Sequence, residues 1–373
     1  MTTSSPPPLI ALAAGGTGGH VFPAEALAGI LLERGYRLAL ITDRRGAAYG
    51  GTLGRLETHR IRAGGIAGRG ALSKLRAVAE LGLGVLQARS LLKRIRPAAV
   101  IGFGGYASIP GMVAAVAAGI PTAIHEQNAV LGRANRLLAS RVGRIATSFA
   151  EVSHVDPRLL PKLVHIGMPV RAAVAALRDA PYPPLDGDGP IQLLVLGGSQ
   201  GARVLSEVVP AALAQLPAAL RLRIRIAQQC RPEDLDGVAR AYEGAGIACT
   251  LQSFFADVPE RLTAAHLVIA RAGASTVAEL TALGRPAILV PYPFAIDDHQ
   301  TANAHAIENN GGAWLMDQAG FTAEALAARL GSLFSQPGIL ARTAGCAARA
   351  GRPDAAERLA DLVAGLITPM PGD

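Results

Sequence analysis

Four glycine-rich stretches each follow a short apolar run, and they are the residues of this sequence that most clearly could do chemistry: GGTGGH (15–20), GFGGYAS (102–108), GGSQGAR (197–203) and RAGAST (271–276). Glycine at the end of a strand lets main-chain N–H groups approach a ligand closely, and the helix that follows presents its positive N-terminus. Phosphate suits such a loop. Four loops, two in each half of the chain, predict a diphosphate ligand at the carboxyl ends of the strands.

A dinucleotide-binding enzyme is a competing interpretation of the first loop. Asp43 ends a predicted strand at about the place where a dehydrogenase has its ribose-binding acid. The motif G-x-G-x-x-G requires a third glycine, however, and this chain has Val21 there. A dehydrogenase therefore matches poorly.

A hydrolase is a second competing interpretation, because Gly197, Ser199 and Gly201 fit the G-x-S-x-G turn that exposes a nucleophilic serine after a strand. The candidates for its acid and base are Asp257 or Asp297 and His299 or His305. This hypothesis leaves the two glycine loops of the first half unexplained.

Two acidic pairs could attract a divalent ion. DGD at 186–188 precedes a strand inside a proline-rich segment and is better explained as a solvated turn. DDHQ at 297–300 is explained equally well by a helix start with Asp near its N-cap. The sequence therefore requires no metal and no other cofactor.

The elements that would carry these loops are alternating strands and helices, since runs rich in Leu, Val and Ile alternate with helical patterns along most of the chain. We predict strands at 9–14, 36–42, 98–102, 120–124 and 143–147, and at 191–196, 222–227, 247–251, 266–270 and 286–290. The first helix is predicted between Pro23 and Gly35. PYPPLDGDGP, at 181–190, is predicted to link two similar halves.

Composition agrees with two α/β domains. The chain has 373 residues, of which 50% are hydrophobic and only 4% aromatic, which is typical of helix-covered parallel sheets. The uncharged run 98–124 contains too many Gly and Pro residues for a membrane span. The N-terminus has no basic residue and does not fit a signal peptide, and the three cysteines show no C-x-x-C spacing, so a reducing cytosol is expected.

One segment holds the entire charge excess of the chain. Between Arg55 and Arg96, ten basic residues outnumber Glu57 and Glu80 and give a net charge of +8, equal to that of the whole protein. The apolar positions of this segment have helical spacing: Leu81, Val85, Ala88, Leu92 and Ile95. The pattern fits either a core-packed helix with a solvated basic face or a helix on an anionic membrane. Without aromatic residues for stacking, nucleic acid is not expected as a partner.

The motifs GGTGGH, HEQN, GGSQGAR and RAGASTVAE together make the chain resemble the MurG family from about residue 9 to 365. This family transfers N-acetylglucosamine from UDP-N-acetylglucosamine to a lipid-linked muramyl-pentapeptide in bacterial cell-wall synthesis. The resemblance implies two Rossmann-like domains facing a cleft, the glycosyltransferase-B fold. The domains would span 1–172 and 173–352, with a C-terminal helix at 353–367 packing back on the first.

The resemblance also implies the donor site. Ser199 would bind the diphosphate, Phe255 would lie near the uracil, and Glu279 would accept hydrogen bonds from the ribose hydroxyls. The other implied donor contacts are Thr17, Gly18, Gly19, Asn128, Arg171, Ala274, Ser275, Thr276 and Gln300. The chain departs from the family's usual GNPVR before the arginine, because it has Met168 in GMPVR.

The transfer chemistry implied by the resemblance is inverting and needs a base, since the acceptor hydroxyl must lose a proton as it attacks the anomeric carbon. We expect His20 in this role, with Glu126 of HEQN as the reserve candidate. Glycine loops and helix N-termini would stabilise the leaving diphosphate.

The lipid acceptor favours the membrane interpretation of the basic segment. We expect residues 65–96 at the cytoplasmic face of the inner membrane, bound peripherally; the basic residues expected to contact membrane or acceptor are Arg69, Lys74, Arg89, Lys93 and Arg94. The alternatives are a UDP-sugar epimerase on the same fold, a Ser199 hydrolase and a non-enzymatic nucleotide-sugar sensor.

Overall fold

The computed structural model describes residues 6–16, 18–43, 50–63, 71–185, 187–198 and 201–367, without the side chains of 71–76. The chain forms two compact units, of which unit 1 comprises Met1–Arg171 with Asp354–Asp373 and unit 2 comprises Ala172–Pro353. The boundaries expected from the sequence lie at 172/173 and 352/353.

Unit 1 is built on a parallel sheet of seven strands in the order β3-β2-β1-β4-β5-β6-β7. Its strands are β1 Leu9–Ala13, β2 Arg37–Thr42, β3 Glu57–Arg60, β4 Ala99–Gly102, β5 Thr122–Glu126, β6 Arg144–Thr147 and β7 Leu163–His165. Its helices are α1 Gly18–Glu33, α2 Ala71–Ile95, α3 Gly105–Ala117 and α4 Arg133–Ala139, with short 3-10 turns at Leu53–Arg55 and Pro157–Lys162. One face of the sheet packs on α1 and the last helix of the chain, and the other packs on α2, α3 and α4.

Unit 2 has a parallel sheet of six strands in the order β10-β9-β8-β11-β12-β13. Its strands are β8 Ile191–Leu196, β9 Ile224–Gln229, β10 Ala248–Gln252, β11 Leu267–Ala270, β12 Ala287–Leu289 and β13 Ala313–Leu315. Its helices are α5 Ala172–Ala175, α6 Arg203–Ala214, α7 Ala218–Arg221, α8 Leu235–Gly244, α9 Val258–Ala264, α10 Ala274–Ala282, α11 His299–Glu308, α12 Ala323–Ser335 and α13 Pro337–Ala350. Two 3-10 turns lie at Pro232–Asp234 and Ile296–Asp298, and α14, Ala355–Ile367, returns to unit 1. There the Arg34 guanidinium of α1 donates to the Asp361 carboxylate at 2.7 Å.

The first helix begins earlier than the sequence predicts. It starts at Gly18, so Pro23 lies inside the helix, in its second turn, and is not its first residue. The predicted end is confirmed, because Gly35 has φ of +82° and its N–H donates to the carbonyl of Leu32. His20 therefore stands in the first turn of α1, where the helix fixes its direction.

The proline-rich segment 181–190 is not a link between two bodies, which corrects the sequence prediction. Its first residues are held by unit 2, since the buried Arg285 guanidinium donates to the carbonyl of Pro181 at 3.0 Å. The hydroxyl of Tyr182 donates to the carbonyl of His266 at 2.8 Å. The division between units falls instead at 171/172.

All ten predicted strands are present within a few residues of their expected bounds, whereas three strands were not predicted: β3, β7 and β13. Each is only three or four residues long and lies at the edge of its sheet, where little apolar pattern is needed.

The predicted amphipathic helix is confirmed as α2. Ala88 and Leu92 are buried against the core beside α3, with Val85 and Ile95 packed on it. Along the described parts of the chain, no helix has both the length and the apolar character needed to cross a bilayer.

Candidate functional site

The two glycine loops of unit 1 lie side by side at the point where the strand order reverses, between β1 and β4. Gly15 follows β1 so closely against α3 that a Cβ there would lie 2.6 Å from the Cβ of Ala107. Gly104 and Gly105 start α3 with φ of +79° and +68°. The carboxyl ends of β1 and β4 thus present main chain from both loops, which is where open α/β sheets bind ligands.

His20 lies between these loops and the loop after β5. Its Nδ1 is 3.2 Å from Oε1 of Gln127. Its ring rests on the second glycine loop, since a Cβ on Gly104 would be 3.4 Å from Cε1 and a Cβ on Gly105 would be 3.4 Å from Nε2. Gly18 and Gly19 occupy the same helical turn, where N–H groups have no partner within the helix. Thr17 lies outside the described residues.

Glu126 is buried at the end of β5, with 1% of its surface exposed. One carboxylate oxygen accepts from the N–H of Asn128 at 3.0 Å and from its side-chain amide at 3.4 Å. The other accepts from the N–H of Gly132 and the amide of Asn135, each at 2.8 Å. Four donors saturate the carboxylate, so this geometry favours a loop-organising role for Glu126 over a role as base. Asn128, expected to bind the donor sugar, is half-buried and held by this carboxylate.

His125 is completely enclosed beneath the same loop. Burial is the main cause that lowers its pKa to about 4; a hydrogen bond with the backbone of Gly167 raises it, and the nearby His20 lowers it. A ring with this pKa is neutral at neutral pH.

Arg171 ends unit 1, with its guanidinium 5.7 Å from the centroid of the Phe22 ring. Met168, the residue that departs from the family pattern, is buried, and its Sδ accepts from the hydroxyl of Ser148 at 3.4 Å. Arg171 and Phe22 are therefore side by side near the start of α1.

The two glycine loops of unit 2 also meet where the strand order reverses, between β8 and β11. Gly197 is tightly enclosed, because a Cβ there would lie 2.7 Å from the N of Ala202. Gly198 has φ of +78°. Ser199 lies outside the described residues, so the structure says nothing of its hydroxyl.

The loop after β11 leads into α10, whose N-cap is Gly273 and whose first i→i−4 bond runs from the N–H of Val277 to the carbonyl of Gly273 at 3.0 Å. The N–H groups of Ala274, Ser275 and Thr276 precede that bond and point out of the helix, where an anion is stabilised. Glu279 lies one turn further on, 8% exposed and on the same face as Ser275.

The ring of Phe255, the residue expected near the uracil, is buried. It is 2% exposed, and the Arg261 guanidinium covers its ring at 4.2 Å from the centroid. Phe254, next to it at the end of β10, is 74% exposed. The sequence shows two adjacent Phe residues but no signal that tells which one faces outward.

Gln300 lies in the first turn of α11, and its Oε1 accepts from the N–H of Tyr292 at 3.0 Å. The amide is thereby oriented with its NH₂ group as the donor that remains. The segment between them contains Asp297 and Asp298 in left-handed conformation, with φ of +53° and +51°. Two consecutive non-glycine residues of this kind store strain, which concentrates at functional sites.

The basic residues expected at the membrane divide into two groups. Arg89, Lys93 and Arg94 are exposed on the second half of α2. Arg69 and the side chain of Lys74 lie outside the description.

One acid candidate and one base candidate of the hydrolase hypothesis have other partners. The Asp257 carboxylate accepts from Arg261 at 2.8 Å, and Nδ1 of His305 lies 3.2 Å from the carboxylate of Glu308. Asp43, considered for a dinucleotide site, is 4% exposed beneath Gly15.

The protein has two α/β units, each with a parallel sheet and a pair of glycine turns at its strand ends. These features place it in the class of two-domain α/β nucleotide-binding proteins. Residues 10–147 match the glycosyltransferase family 28 N-terminal domain, and residues 192–359 match the glycosyltransferase family 28 C-terminal domain. The chain belongs to glycosyltransferase family 28.

Individual relatives agree with the family. A protein of Paramagnetospirillum magneticum is 79% identical over 364 residues, covering 98% of both chains, and one of Rhodospirillum rubrum is 62% identical over 358 residues, covering 95% of this chain and 91% of the relative. Both are named UDP-N-acetylglucosamine–N-acetylmuramyl-(pentapeptide) pyrophosphoryl-undecaprenol N-acetylglucosamine transferase. The crystal structure of Acinetobacter baumannii MurG is 31% identical, with a TM-score of 0.77 over 96% of this chain and 99% of that one. The predicted fold class and the resemblance to the MurG family are confirmed.

Proposed function

We infer that the protein is the hexosyltransferase that moves N-acetylglucosamine from UDP-N-acetylglucosamine to the muramyl sugar of undecaprenyl-pyrophosphoryl-N-acetylmuramyl-pentapeptide, with inversion at the anomeric carbon. This step belongs to peptidoglycan synthesis and so to cell-wall formation. The observation that carries the inference is the identity shared with the Paramagnetospirillum transferase along almost the whole of both chains.

We propose that unit 2 binds the UDP moiety. The first turn of α10 and the glycine turn after β8 supply main-chain N–H groups for the diphosphate, and Ser199 of the GGSQGAR stretch binds it as well. Glu279 accepts hydrogen bonds from the ribose hydroxyls. Phe254 is an exposed aromatic ring on which the uracil stacks, and the main chain of Phe255 lies beside it. Within unit 2, Gln300 binds the sugar. Asn128 and Arg171 of unit 1 are the further donor contacts that the family resemblance implies.

We propose His20 as the general base. Its ring stands at the strand ends beside the glycine loops, and a neutral imidazole can accept a proton from a hydroxyl. Glu126 is saturated by four donors and shapes the loop that carries Asn128. Helix N-termini, not a metal, stabilise the leaving UDP in this proposal.

Product analysis tests the function against its alternatives. The protein is incubated with labelled UDP-N-acetylglucosamine and a short-chain lipid-linked muramyl acceptor. A transferase makes the disaccharide, an epimerase changes the donor alone, a hydrolase releases product without acceptor and a sensor only binds. A His20→Ala variant should lose about 10²–10⁴-fold in kcat, because that is the usual contribution of a general base; full turnover would eliminate His20 from this role.

We propose that α2 binds the cytoplasmic face of the inner membrane peripherally. Its outward side carries three exposed apolar residues, Val78 at 67%, Leu83 at 45% and Leu86 at 64%, followed by exposed Arg89 and Lys93. Apolar side chains next to basic ones suit an anionic bilayer surface, where each basic residue contributes about 1 kcal/mol.

Charge reversal tests the membrane proposal. Changing Arg89, Lys93 and Arg94 to Glu should weaken binding to phosphatidylserine-containing vesicles by at least about 100-fold, since about 3 kcal/mol of attraction is lost. The matched control reverses three exposed arginines of unit 2: Arg240, Arg329 and Arg342. Equal partitioning of both triple variants would contradict the proposal.

A further inference from the structure

A chain of polar side chains in unit 1 starts at His20 and runs inward below the second glycine loop. Its members are His20, Gln127, His125, Ser148 and Met168. Of these, Gln127, His125 and Ser148 were not among the site residues expected from the sequence. All three stand at the ends of β5 and β6, which hold them in fixed order.

The amide of Gln127 can have only one orientation. Its Nε2 lies 2.9 Å from the carbonyl oxygen of Phe103 and 3.2 Å from that of His125. Carbonyl oxygens only accept, so the NH₂ group must face them and Oε1 must face His20. Gln127 is 2% exposed, and its amide has no water to turn toward.

This orientation fixes the proton on His20. Oε1 of Gln127 lies 3.2 Å from Nδ1 of His20 and can only accept a hydrogen bond. Nδ1 therefore carries the hydrogen. In the neutral imidazole the lone pair is then on Nε2, the nitrogen beside Gly105, where the missing Cβ leaves room.

The hydrogen bonds of His125, further inside, run in the same direction. Gln127 Nε2 lies 3.0 Å from Nδ1 of His125, so its second hydrogen finds an acceptor there, provided that His125 is neutral. Burial keeps this ring neutral, because it lowers the pKa of His125 to about 4. Nε2 of His125 then carries the hydrogen and faces Oγ of Ser148 at 3.4 Å.

Met168 closes the chain. The hydroxyl of Ser148 donates to its thioether sulfur at 3.4 Å, and a thioether has no hydrogen to donate. Each of the three side chains between His20 and Met168 therefore accepts a hydrogen bond from the neighbour on the His20 side and donates one to the neighbour on the interior side. The carbonyl of Phe103 and the sulfur of Met168 both enforce this order.

We propose that Gln127 is a positioning residue that holds His20 in the Nδ1–H tautomer, so that Nε2 is the atom that takes the proton from the acceptor hydroxyl. The proposal rests on the transfer reaction and on His20 as its base, as proposed above. Gln127 does not touch the reacting atoms; it acts through His20.

The first test reads the tautomer directly. In protein labelled with ¹⁵N-histidine, two-bond ¹H–¹⁵N correlations distinguish a protonated from an unprotonated ring nitrogen, and a His20→Gln sample assigns the signal of His20. In the neutral form of its ring, His20 of the wild-type protein should show Nδ1 protonated and Nε2 unprotonated. A folded wild type with the proton on Nε2 overturns the proposal, whatever the variants do.

The second test removes the acceptor oxygen. Gln127→Leu has a similar volume but cannot accept from Nδ1; the His20 signal should lose its Nδ1–H preference and kcat should fall about 10- to 100-fold, within what a general base contributes. KM for UDP-N-acetylglucosamine should stay within about twofold, because the side chain of Gln127 is buried below the loop. Gln127→Glu keeps an oxygen that can accept a hydrogen bond from Nδ1 of His20; it should restore the Nδ1–H signal and most of kcat.

The control is Gln228→Leu, which removes a buried amide of unit 2 that accepts from Tyr242. It should leave the His20 signal and kcat unchanged. Full kcat in Gln127→Leu, or equal losses in the Leu and Glu variants, would refute the positioning role. If wild-type protein makes no disaccharide, the transfer reaction itself fails and the proposal with it, and the tautomer spectrum still records whether Gln127 orders His20.

Discussion

Replacing Glu126 by glutamine tests whether its carboxylate organises the loop or acts as the catalytic base. Each oxygen of Glu126 accepts from two donors, one pair belonging to Asn128 and the other to Gly132 and Asn135. In Glu126→Gln one oxygen becomes an NH₂ group. Whichever way the amide turns, two N–H donors, one of them a main-chain group, then face another donor.

The magnitude follows from the burial of these groups. A hydrogen bond to a charged acceptor contributes about 1.5–3 kcal/mol, and a buried donor left without acceptor costs about 1–3 kcal/mol. Because the site is 1% exposed, water cannot replace the lost acceptor. We therefore expect the substitution to lower the free energy of unfolding of unit 1 by about 2–4 kcal/mol.

Urea unfolding measures the loss, and hydrogen exchange of peptides spanning 127–135 locates it in the loop. The matched control is Glu33→Gln, an exposed glutamate on α1, which should change the free energy by less than about 0.5 kcal/mol. We also expect kcat of Glu126→Gln to fall, because the loop carries Asn128. Part of this loss should be recovered at lower temperature, where more molecules have the loop in its native form.

One result would refute this account of Glu126. If Glu126→Gln kept wild-type stability and wild-type exchange in the loop but lost turnover completely, the carboxylate would be acting on the substrate and not on the loop.

Three further predictions follow from the site. Burial lowers the pKa of His125 from 6.5 to about 4, so between these pH values the unfolded chain binds the proton more readily than the folded protein does. The free energy of unfolding should therefore fall by about 2 kcal/mol between pH 7 and 5, because the contribution of neutral His125 is complete only above pH 6.5. Urea unfolding measures this fall, and His125→Phe should abolish it. Phe254→Ala should raise KM for the donor about tenfold through loss of base stacking, whereas Phe255→Ala should leave a cavity and cost about 3–5 kcal/mol of stability; equal effects on KM would contradict the assignment. Turnover in excess EDTA should stay within about twofold of the untreated rate, because main-chain N–H groups and helix N-termini supply the positive potential for the diphosphate; a loss that Mg²⁺ restores would contradict it.

Glycine position and apolar periodicity made the fold predictable. A strand that is buried on both faces must be apolar, and a ligand-binding turn after it must be bare of side chains, so both leave a local mark on the sequence. The three strands that were missed, β3, β7 and β13, are short edge strands whose pairing comes from the neighbouring strand and not from their own composition. The helix α1 was predicted too short because proline at its sixth position looked like a helix start.

The site was predicted less completely, because side-chain direction depends on contacts between distant residues. Two adjacent phenylalanines after β10 are equivalent in the sequence, and only the packing of Arg261 on Phe255 decides that Phe254 faces outward. Glu126 and His20 both stood as candidates for the base until the loop 127–135 was seen to saturate one of them. Gln127 belongs to the HEQN motif, but the motif does not indicate its role. That role depends on the carbonyl of Phe103 and on Nδ1 of His20, residues that are 24 and 107 positions away.

The sequence by itself determined the class of fold, the place of the four glycine turns and the family, because each of these depends on residue type at local spacing. The tertiary structure alone decided which side chains meet at the strand ends and in which direction each hydrogen bond runs. A buried amide has two orientations of similar shape, and only the surrounding carbonyls, brought together by the sheet, make one of them favourable.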